Sequence, residues 1–311
     1  MNNLTQRFIT GIIGVAIVLS ALLYSQLSGL LLIALISSMS LFEFYKLSKN
    51  DNIQPHIALG LATGIILFLP MLFGTFMQNI NLLPLIFILP YLVFIRELFT
   101  KSEKPFTNIA YTLLGNIYIS APMFMFFLLS FYGPGEEYKP LNLVGYLFIL
   151  WANDIGGYTA GRIWGKHKLF ERISPKKTWE GFIGSGVCAI GISFAVAHYC
   201  TAFTLTQWIV IASIIFIAGV LGDLIESMFK RSLVIKDSGS LLPGHGGFLD
   251  RFDALFISAP FVFFYLNLYI VSIKFSGVTM LLAGDNFTDF FSPADLANHA
   301  DSAQRWINIS Q

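Results

Sequence analysis

Charged residues are scarce in this 311-residue chain: they make up 12% of it, about half the share found in an ordinary soluble domain. That excludes a globular surface facing water on all sides. Cysteine is scarcer, with Cys188 and Cys200 alone. They fall in or at the end of one apolar stretch, about 18 Å apart on a helix, so no disulfide is expected and both read as buried apolar filler. The chain also lacks an internal repeat and any low-complexity segment. Its first apolar run follows Arg7, but without a convincing small-residue cleavage site. A second run comes almost at once, so the first reads as a retained helix rather than a signal peptide.

What is present is apolar. Hydrophobic residues make up 55% of the chain, with 31 phenylalanines among them. Nine long apolar runs recur at about 8–24, 28–45, 57–77, 80–95, 108–131, 140–161, 181–200, 204–222 and 254–275. Most reach the roughly 20 residues that cross a bilayer; 80–95 is short and contains Pro84 and Pro90. The expected fold class is all-α, a polytopic integral membrane protein of about nine transmembrane helices.

Cations give the orientation. Counting spans from an inner N-terminus, alternate loops hold Arg7; Lys46 and Lys49; Arg96, Lys101 and Lys104; Arg162, Lys166, Lys168, Arg172, Lys176 and Lys177; and Lys230, Arg231, Lys236 and Arg251. The other side receives Lys139, Lys274 and Arg305. Such a bias places the N-terminus in the cytoplasm and the C-terminus outside. The net charge of +1 hides this asymmetry because it lies across the bilayer.

The region 1–145 has short loops and little polarity within its spans, and reads as structural, with Glu43 beside Lys46 and Arg96 beside Glu97 as juxtamembrane charges. The chemistry lies in 146–276. In the tail, 277–311, Ser292 and Pro293 suit an N-cap and first helical position, and Leu296, Ala300, Ala303 and Ile307 share one face. A short helix on the outer membrane surface is expected there.

Two segments carry the polar residues. The first, WANDIGGYTAGRIWGKHKLFERISPKKTWEG at 151–181, puts Asp154 near the inner end of a span, where a bare carboxylate is costly. Gly156, Gly157 and Gly161 permit close helix packing. Arg162, Lys166, Lys168 and Arg172 fit either an inner topogenic loop or anion binding. Ser174, Lys176, Lys177 and Glu180, set just before the next span, suit the holding of phosphate oxygens.

The second segment is LGDLIE followed by SMFKRSLVIKDSGSLLPGHGGFLDRFD, 221–253. Asp223 and Glu226, three apart on a helix, face the same way and repel unless a cation lies between them. Glu226 also stands four residues before Lys230, so an intrahelical ion pair is the alternative. Asp250 and Asp253 repeat the spacing at the start of the last span. Two helix ends presenting carboxylates to one face suggest an oxygen-rich site for a divalent ion, Mg²⁺ if phosphates complete its shell. Between them lie Lys230, Arg231, Lys236, Asp237 and the glycine-rich PGHGG, whose Gly246 and Gly247 allow backbone N–H groups to approach an anion. His245 fits three roles equally: orienting a carboxylate, donating to phosphate, or capping. Arg251 adds a further cation.

The run S-M-F-K-R-x4-K-D-x-G-x2-L-P-G-H-G-G-F-L-D-R-F-D resembles the signature of bacterial phosphatidate cytidylyltransferases, also called CDP-diacylglycerol synthases. The ND-x3-Y-x2-G-R and S-P-K-K-T-W-E-G segments look like that family too. The resemblance covers about 150–275 strongly and the earlier spans in pattern only. It implies CTP and phosphatidate as substrates, CDP-diacylglycerol and pyrophosphate as products, Mg²⁺ dependence with room for a second, monovalent or divalent, cation, and a homodimer in the bacterial inner membrane. It also implies Asp223 and Asp250 as metal ligands with Asp253 close by; Lys236, Asp237 and His245, inside the same signature, are expected to be catalytic with Asp223 and Asp250. No nucleic-acid partner is expected. The competing class is a transporter with intramembrane carboxylates. Transporters place coupling sites near the midplane within inverted repeats, whereas here the polar residues gather at inner helix ends.

Overall fold

Apolar segments in lipid must satisfy their own backbone N–H and C=O groups, which a helix does within one segment. The computed structural model, which describes residues 3–49, 53–74, 83–134, 137–235, 239 and 246–283, is accordingly built of helices: α1 (Asn3–Tyr24), α2 (Gln26–Ser48), α3 (Ile57–Ile66), α4 (Leu69–Gly74), α5 (Leu83–Leu98), α6 (Pro105–Gly115), α7 (Ala121–Leu128), α8 (Pro140–Trp164), α9 (Trp179–Tyr199), α10 (Leu205–Ser232) and α11 (Leu249–Ala283). A π-helical turn, Asn116–Ser120, joins α6 to α7, which ends in a 3₁₀ turn, Leu129–Phe131. The chain divides into two units, Met1–Phe263 and Phe264–Gln311. The site lies in the first; in the second, 264–283 are helical. The expected tail helix after 292 lies outside the described residues.

Among the described residues, four helices are long and apolar enough to cross a membrane: α2, the composite Pro105–Phe131, α9 and α10. Shorter apolar helices run over Thr10–Tyr24 and Ile57–Ile66. The run at 57–77 does not form one helix. Proline fits the first turn of a helix but not its interior, and Pro70 falls at the second position of α4, so α3 ends and a new helix starts. Helix α8 has 25 residues and carries Asn142, Asn153, Asp154 and Arg162 along its length.

Two carboxylates expected to be ordinary juxtamembrane charges are buried instead. Glu43 and Glu97 are each 3% exposed. Glu97 pairs with His56 and accepts hydrogen bonds from Ser102 and Asn108, which ties the ends of α3, α5 and α6 together. Glu43 is used by α11, as described below. At the π turn, Asn116 Nδ2 donates to Thr63 Oγ1 (2.8 Å), Gly60 O and Tyr45 Oη (both 3.2 Å), and so locks α3 to α2. Extra residues in a helix turn commonly free a polar group for such work.

Helices α8, α9 and α10 pack around small residues. A methyl group on Gly184 of α9 would lie 2.3 Å from the Ala160 Cβ of α8 and 2.8 Å from Gly156 O, so the two backbones meet almost directly, as small residues allow between membrane helices. Ser185 Oγ donates to Asn153 O at 2.9 Å across this seam.

The expectation of a purely helical fold misses one element. Between α8 and α9 the chain forms an antiparallel hairpin of β1 (Lys168–Phe170) and β2 (Ser174–Thr178), with Lys168 opposite Thr178 and Phe170 opposite Ser174. A two-stranded hairpin is marginal alone, and this one is pinned at its base. The carboxylate of Glu180 accepts the backbone N–H groups of Lys166 (3.1 Å) and His167 (3.2 Å) and meets His167 Nδ1 at 2.7 Å. Thr178 then caps α9 by accepting the N–H of Gly181 at 3.1 Å, a standard role for threonine at that position.

The hairpin lies in the inner loop richest in cations and offers a test of orientation. Glu171 is exposed near its tip. In a background with Cys188 and Cys200 changed to alanine, Glu171→Cys is expected to react with impermeant maleimide in inverted vesicles and not in intact cells. Labelling in intact cells at that position reverses the topology. Both native cysteines are free; Cys200 is buried as expected, but Cys188 is exposed rather than buried.

Candidate active site

The polar residues meet at one end of the helices. Asp154 sits in the third-last turn of α8, Lys176 and Lys177 end the hairpin, Asp223 to Lys230 occupy the last turns of α10, and Asp250 to Asp253 the first turn of α11. The negative end of the α10 dipole faces this place, which adds to the cost of the carboxylates Asp223 and Glu226 there. Something cationic has to balance them.

Glycine makes the α10–α11 contact possible. A Cβ on Gly222 would lie 2.5 Å from Asp253 O and 2.9 Å from Ala254 Cα, so a side chain of any size would separate the helices. This approach brings carboxylate oxygens of Asp223, Glu226 and Asp253 within 4.8 Å of one another. Glu226 is 1% exposed. Its Oε1, and the nearby helix α8's Asn153 Oδ1, are buried without a hydrogen-bond partner among the described residues. Orphaned buried oxygens are rare because each forfeits its hydration. An all-oxygen set with unused lone pairs fits a hard divalent cation such as Mg²⁺.

Lysines bound the trio on both sides. Lys177 Nζ lies 2.7 Å from Asp223 Oδ2 and donates to Val220 O at 3.4 Å. Lys230 Nζ lies 2.6 Å from Glu226 Oε2 and 2.7 Å from Asp250 Oδ1. The ion pair of Glu226 with Lys230 is formed through Oε2, while a carboxylate oxygen of Glu226 still lies within 4.8 Å of those of Asp223 and Asp253. Asp250 differs from the other three metal-ligand candidates. Its oxygens go to Lys230 and to the N–H of Gly247 (3.2 Å), and it stands outside the trio. Gly246 adopts φ +82°, and a Cβ there would come 2.8 Å from Asp250 Oδ2. The positive φ favours glycine at that position, and a side chain there would also push on the Asp250 carboxylate.

A cavity of about 510 Å³ opens beside the trio, lined by Asp154, Tyr158, Arg162, Lys176, Lys177 and Asp223 among others, a size typical of small-ligand sites. The lining mixes these polar groups with Leu169 and Phe182, which suits a ligand with a charged head and an apolar body. Arg162 is steadied from its own helix by Tyr158, whose Oη it meets at 3.0 Å. Ser227 Oγ reaches Asp223 Oδ1 at 3.4 Å and Asn153 Nδ2 reaches Asp154 Oδ1 at 3.4 Å.

Other sequence candidates lie elsewhere. Glu180 spends its carboxylate on the hairpin backbone, and Ser174 pairs across the hairpin with Phe170. Arg231 is exposed and donates to Ile235 O at 3.2 Å, closing the end of α10. Arg251, by contrast, stays near the site: it is exposed in the first turn of α11, within electrostatic reach of Asp154. Lys236, Asp237 and His245 lie outside the described residues. Sequence reasoning gave Asn153, Tyr158, Gly222 and Ser227 no role of their own, and it read Thr178 with the phosphate-holding run rather than as a helix cap. The threonine had a visible signal, since T-W-E-G reads as a cap followed by a first turn with an acidic residue. The others stand one to four residues from an acidic or basic candidate.

Comparison with known proteins adds the family. The cytidylyltransferase family profile matches residues 5–269. A phosphatidate cytidylyltransferase of Staphylococcus haemolyticus is 35% identical over 258 residues, which cover 82% of this chain and 95% of that protein. One of Staphylococcus aureus is 36% identical over 260 residues, with the same shares covered. One of Bacillus subtilis is 32% identical over 289 residues, covering 86% of this chain and all of the relative. By the extent of these matches, this chain belongs to the cytidylyltransferase family.

Proposed function

We infer that this membrane protein is a phosphatidate cytidylyltransferase, which joins the cytidylyl group of CTP to phosphatidate and releases pyrophosphate. The observation that carries this reading for the site is the cavity beside the carboxylate trio, where Arg162, Lys176 and Lys177 line the wall next to Asp223. Two polyanions must meet in the reaction, so cations and a divalent-ion site in one place are what the chemistry demands.

The phosphate of phosphatidate has a second pKa near about 6 and is mostly dianionic at neutral pH. One of its oxygens attacks the α-phosphorus of CTP; that O–P bond forms as the bond to the β-phosphate oxygen breaks, and the electron pair leaves with pyrophosphate. No general base is needed. The chain's task is positioning and charge neutralisation. Lys176, Lys177 and Arg162 hold phosphate oxygens, and the apolar side chains of Leu169 and Phe182 receive the lipid side. Asp223, Glu226 and Asp253 would hold the divalent ion, with Asp250 and Lys230 bracing them. When bound, Mg²⁺ supplies the charge that stabilises the departing pyrophosphate.

The Lys177–Asp223 ion pair then has a working meaning. Lys177 both pairs with Asp223 and lines the cavity, so the same ammonium can hold substrate phosphate oxygens beside the carboxylates that would hold the ion. The cytoplasmic supply of CTP and the cation bias support an inward-facing site, nine spans and a cytoplasmic N-terminus; a homodimer remains part of this reading by resemblance to the family.

Lys177→Met is expected to raise the KM for CTP or lower kcat by roughly tenfold or more, the scale of a lost charged hydrogen bond of about 1.5–3 kcal/mol, with membrane insertion unchanged. Steady-state kinetics of the purified variant check this, and wild-type constants would return Lys177 to a topological role. The activity itself is tested by reconstituting the protein with phosphatidate and labelled CTP. A lipid-soluble cytidine product supports the enzyme. Label accumulating inside the vesicles without such a product would favour a transporter.

A further inference from the structure

The first turn of α11 carries Asp250 and Asp253, yet the sequence before it offers no cap. Gly246, Gly247 and Phe248 precede Leu249, and none has a side chain able to accept from the first N–H groups of the helix. Helix starts leave such donors orphaned, and a buried one is costly. The acceptor comes from far away: Glu43 of α2, 206 residues earlier, takes the Leu249 N–H on Oε2 at 2.9 Å. The site of this bond is buried, with Glu43 3% and Leu249 0% exposed.

The neighbouring residue extends the brace. Phe44 stacks on Phe229 of α10, with centroids 4.8 Å apart and planes at 19°. It also meets Tyr118, which lies edge-on to Phe256 of α11 at 5.6 Å. Phe229 immediately precedes Lys230, the lysine shared by Glu226 and Asp250. Adjacent residues of α2 thus hold the two helix ends whose carboxylates form the trio. The loop glycine Gly239 passes close enough that a Cβ on it would be 3.0 Å from Glu43 Oε1.

We propose that Glu43 is a positioning residue: by capping α11 from α2 it sets the register of Asp253 and Asp250 against Asp223 and Glu226, and so tunes divalent-ion binding without touching the ion. Tyr118 reaches the same place from the N-terminal half, but it meets α11 through its ring against Phe256 rather than at the helix start. The proposal rests on the divalent-ion reading of the trio, and the experiment separates the two.

The measurement is Mn²⁺ binding to the purified full-length protein by electron paramagnetic resonance, alongside turnover at varied Mg²⁺. Glu43→Gln keeps an oxygen for the Leu249 N–H and is expected to stay within about twofold of wild type in Mn²⁺ affinity. Glu43→Ala removes the cap and is expected to weaken Mn²⁺ binding at least fivefold. It should raise the Mg²⁺ needed for half-maximal rate in parallel, while the KM for CTP at saturating Mg²⁺ moves less than twofold. If Glu43→Ala does not accumulate as folded protein, Glu43→Asp serves instead. Its carboxylate falls short of Leu249 by one methylene, and the same shift in Mn²⁺ affinity, at smaller size, is expected. Wild-type Mn²⁺ binding and Mg²⁺ dependence in the folded alanine or aspartate variant overturn the proposal. So does a glutamine variant as deficient as alanine. Absence of Mn²⁺ binding by the wild-type protein overturns the divalent-ion reading beneath it.

Discussion

Asp223→Asn and Asp253→Asn are each expected to lower turnover by about a thousandfold or more while leaving the protein folded and inserted. The estimate follows from the several kcal/mol of charge stabilisation that a bound divalent ion contributes, at about 1.4 kcal/mol per tenfold. Each change preserves shape and removes one negative charge from a trio whose oxygens lie within 4.8 Å of one another. Stability of Asp253→Asn should hold or rise, because mutual repulsion among Asp223, Glu226 and Asp253 falls; Asp223→Asn also gives up the ion pair with Lys177, which offsets that gain. The check is initial rate against Mg²⁺ concentration, with melting temperature in detergent as the control. Loss of rate that high Mg²⁺ partly restores is the signature of weakened metal binding. An unchanged rate in either variant removes that residue from the site. Asp250→Asn should act differently: it frees Lys230 from one of its two partners, so its defect should respond little to added Mg²⁺.

Gly222→Ala is expected to be nearly as damaging although it adds one methyl group and no charge. The new Cβ would face Asp253 O at 2.5 Å and Ala254 Cα at 2.9 Å. Both are backbone atoms of α11 and cannot rotate away, so α10 and α11 must part. A displacement on the order of 1 Å at a catalytic constellation costs about a hundredfold, and that is the loss expected in kcat/KM. Steady-state kinetics on the folded fraction measure it. Wild-type kinetics would show that the close approach of the helices is not what assembles the trio.

The helical class was legible because hydrophobic run length reports directly on the need to bury a backbone in lipid. The trio was legible in part. Asp223 with Glu226, and Asp250 with Asp253, share a helix face by spacing alone, but spacing cannot say which of the four converge. The α10–α11 packing decides it, through Gly222, and it turns Asp250 toward Lys230. Glu43 was illegible for a plain reason. In sequence it stands beside Lys46 at the end of an apolar run, as hundreds of topogenic charges do. Its partner is a backbone N–H, which leaves no trace in the identity of Leu249. The hairpin over 168–178 was hidden by its cations, which mark an inner loop whatever its conformation, and Glu180 looked like a ligand for substrate because its hydrogen bonds are to backbone as well.

The central claim is that cytidylyl transfer takes place at the α10–α11 carboxylates. It is tested most directly by following two labels in one assay with purified protein, phosphatidate and Mg²⁺: CTP labelled at its α-phosphorus and CTP labelled at its γ-phosphorus. The account predicts that wild-type protein places the α label in the lipid fraction and the γ label in aqueous pyrophosphate, and that Asp223→Asn does neither above background. Transfer of the γ label to lipid, or undiminished α-label transfer by Asp223→Asn, would contradict it.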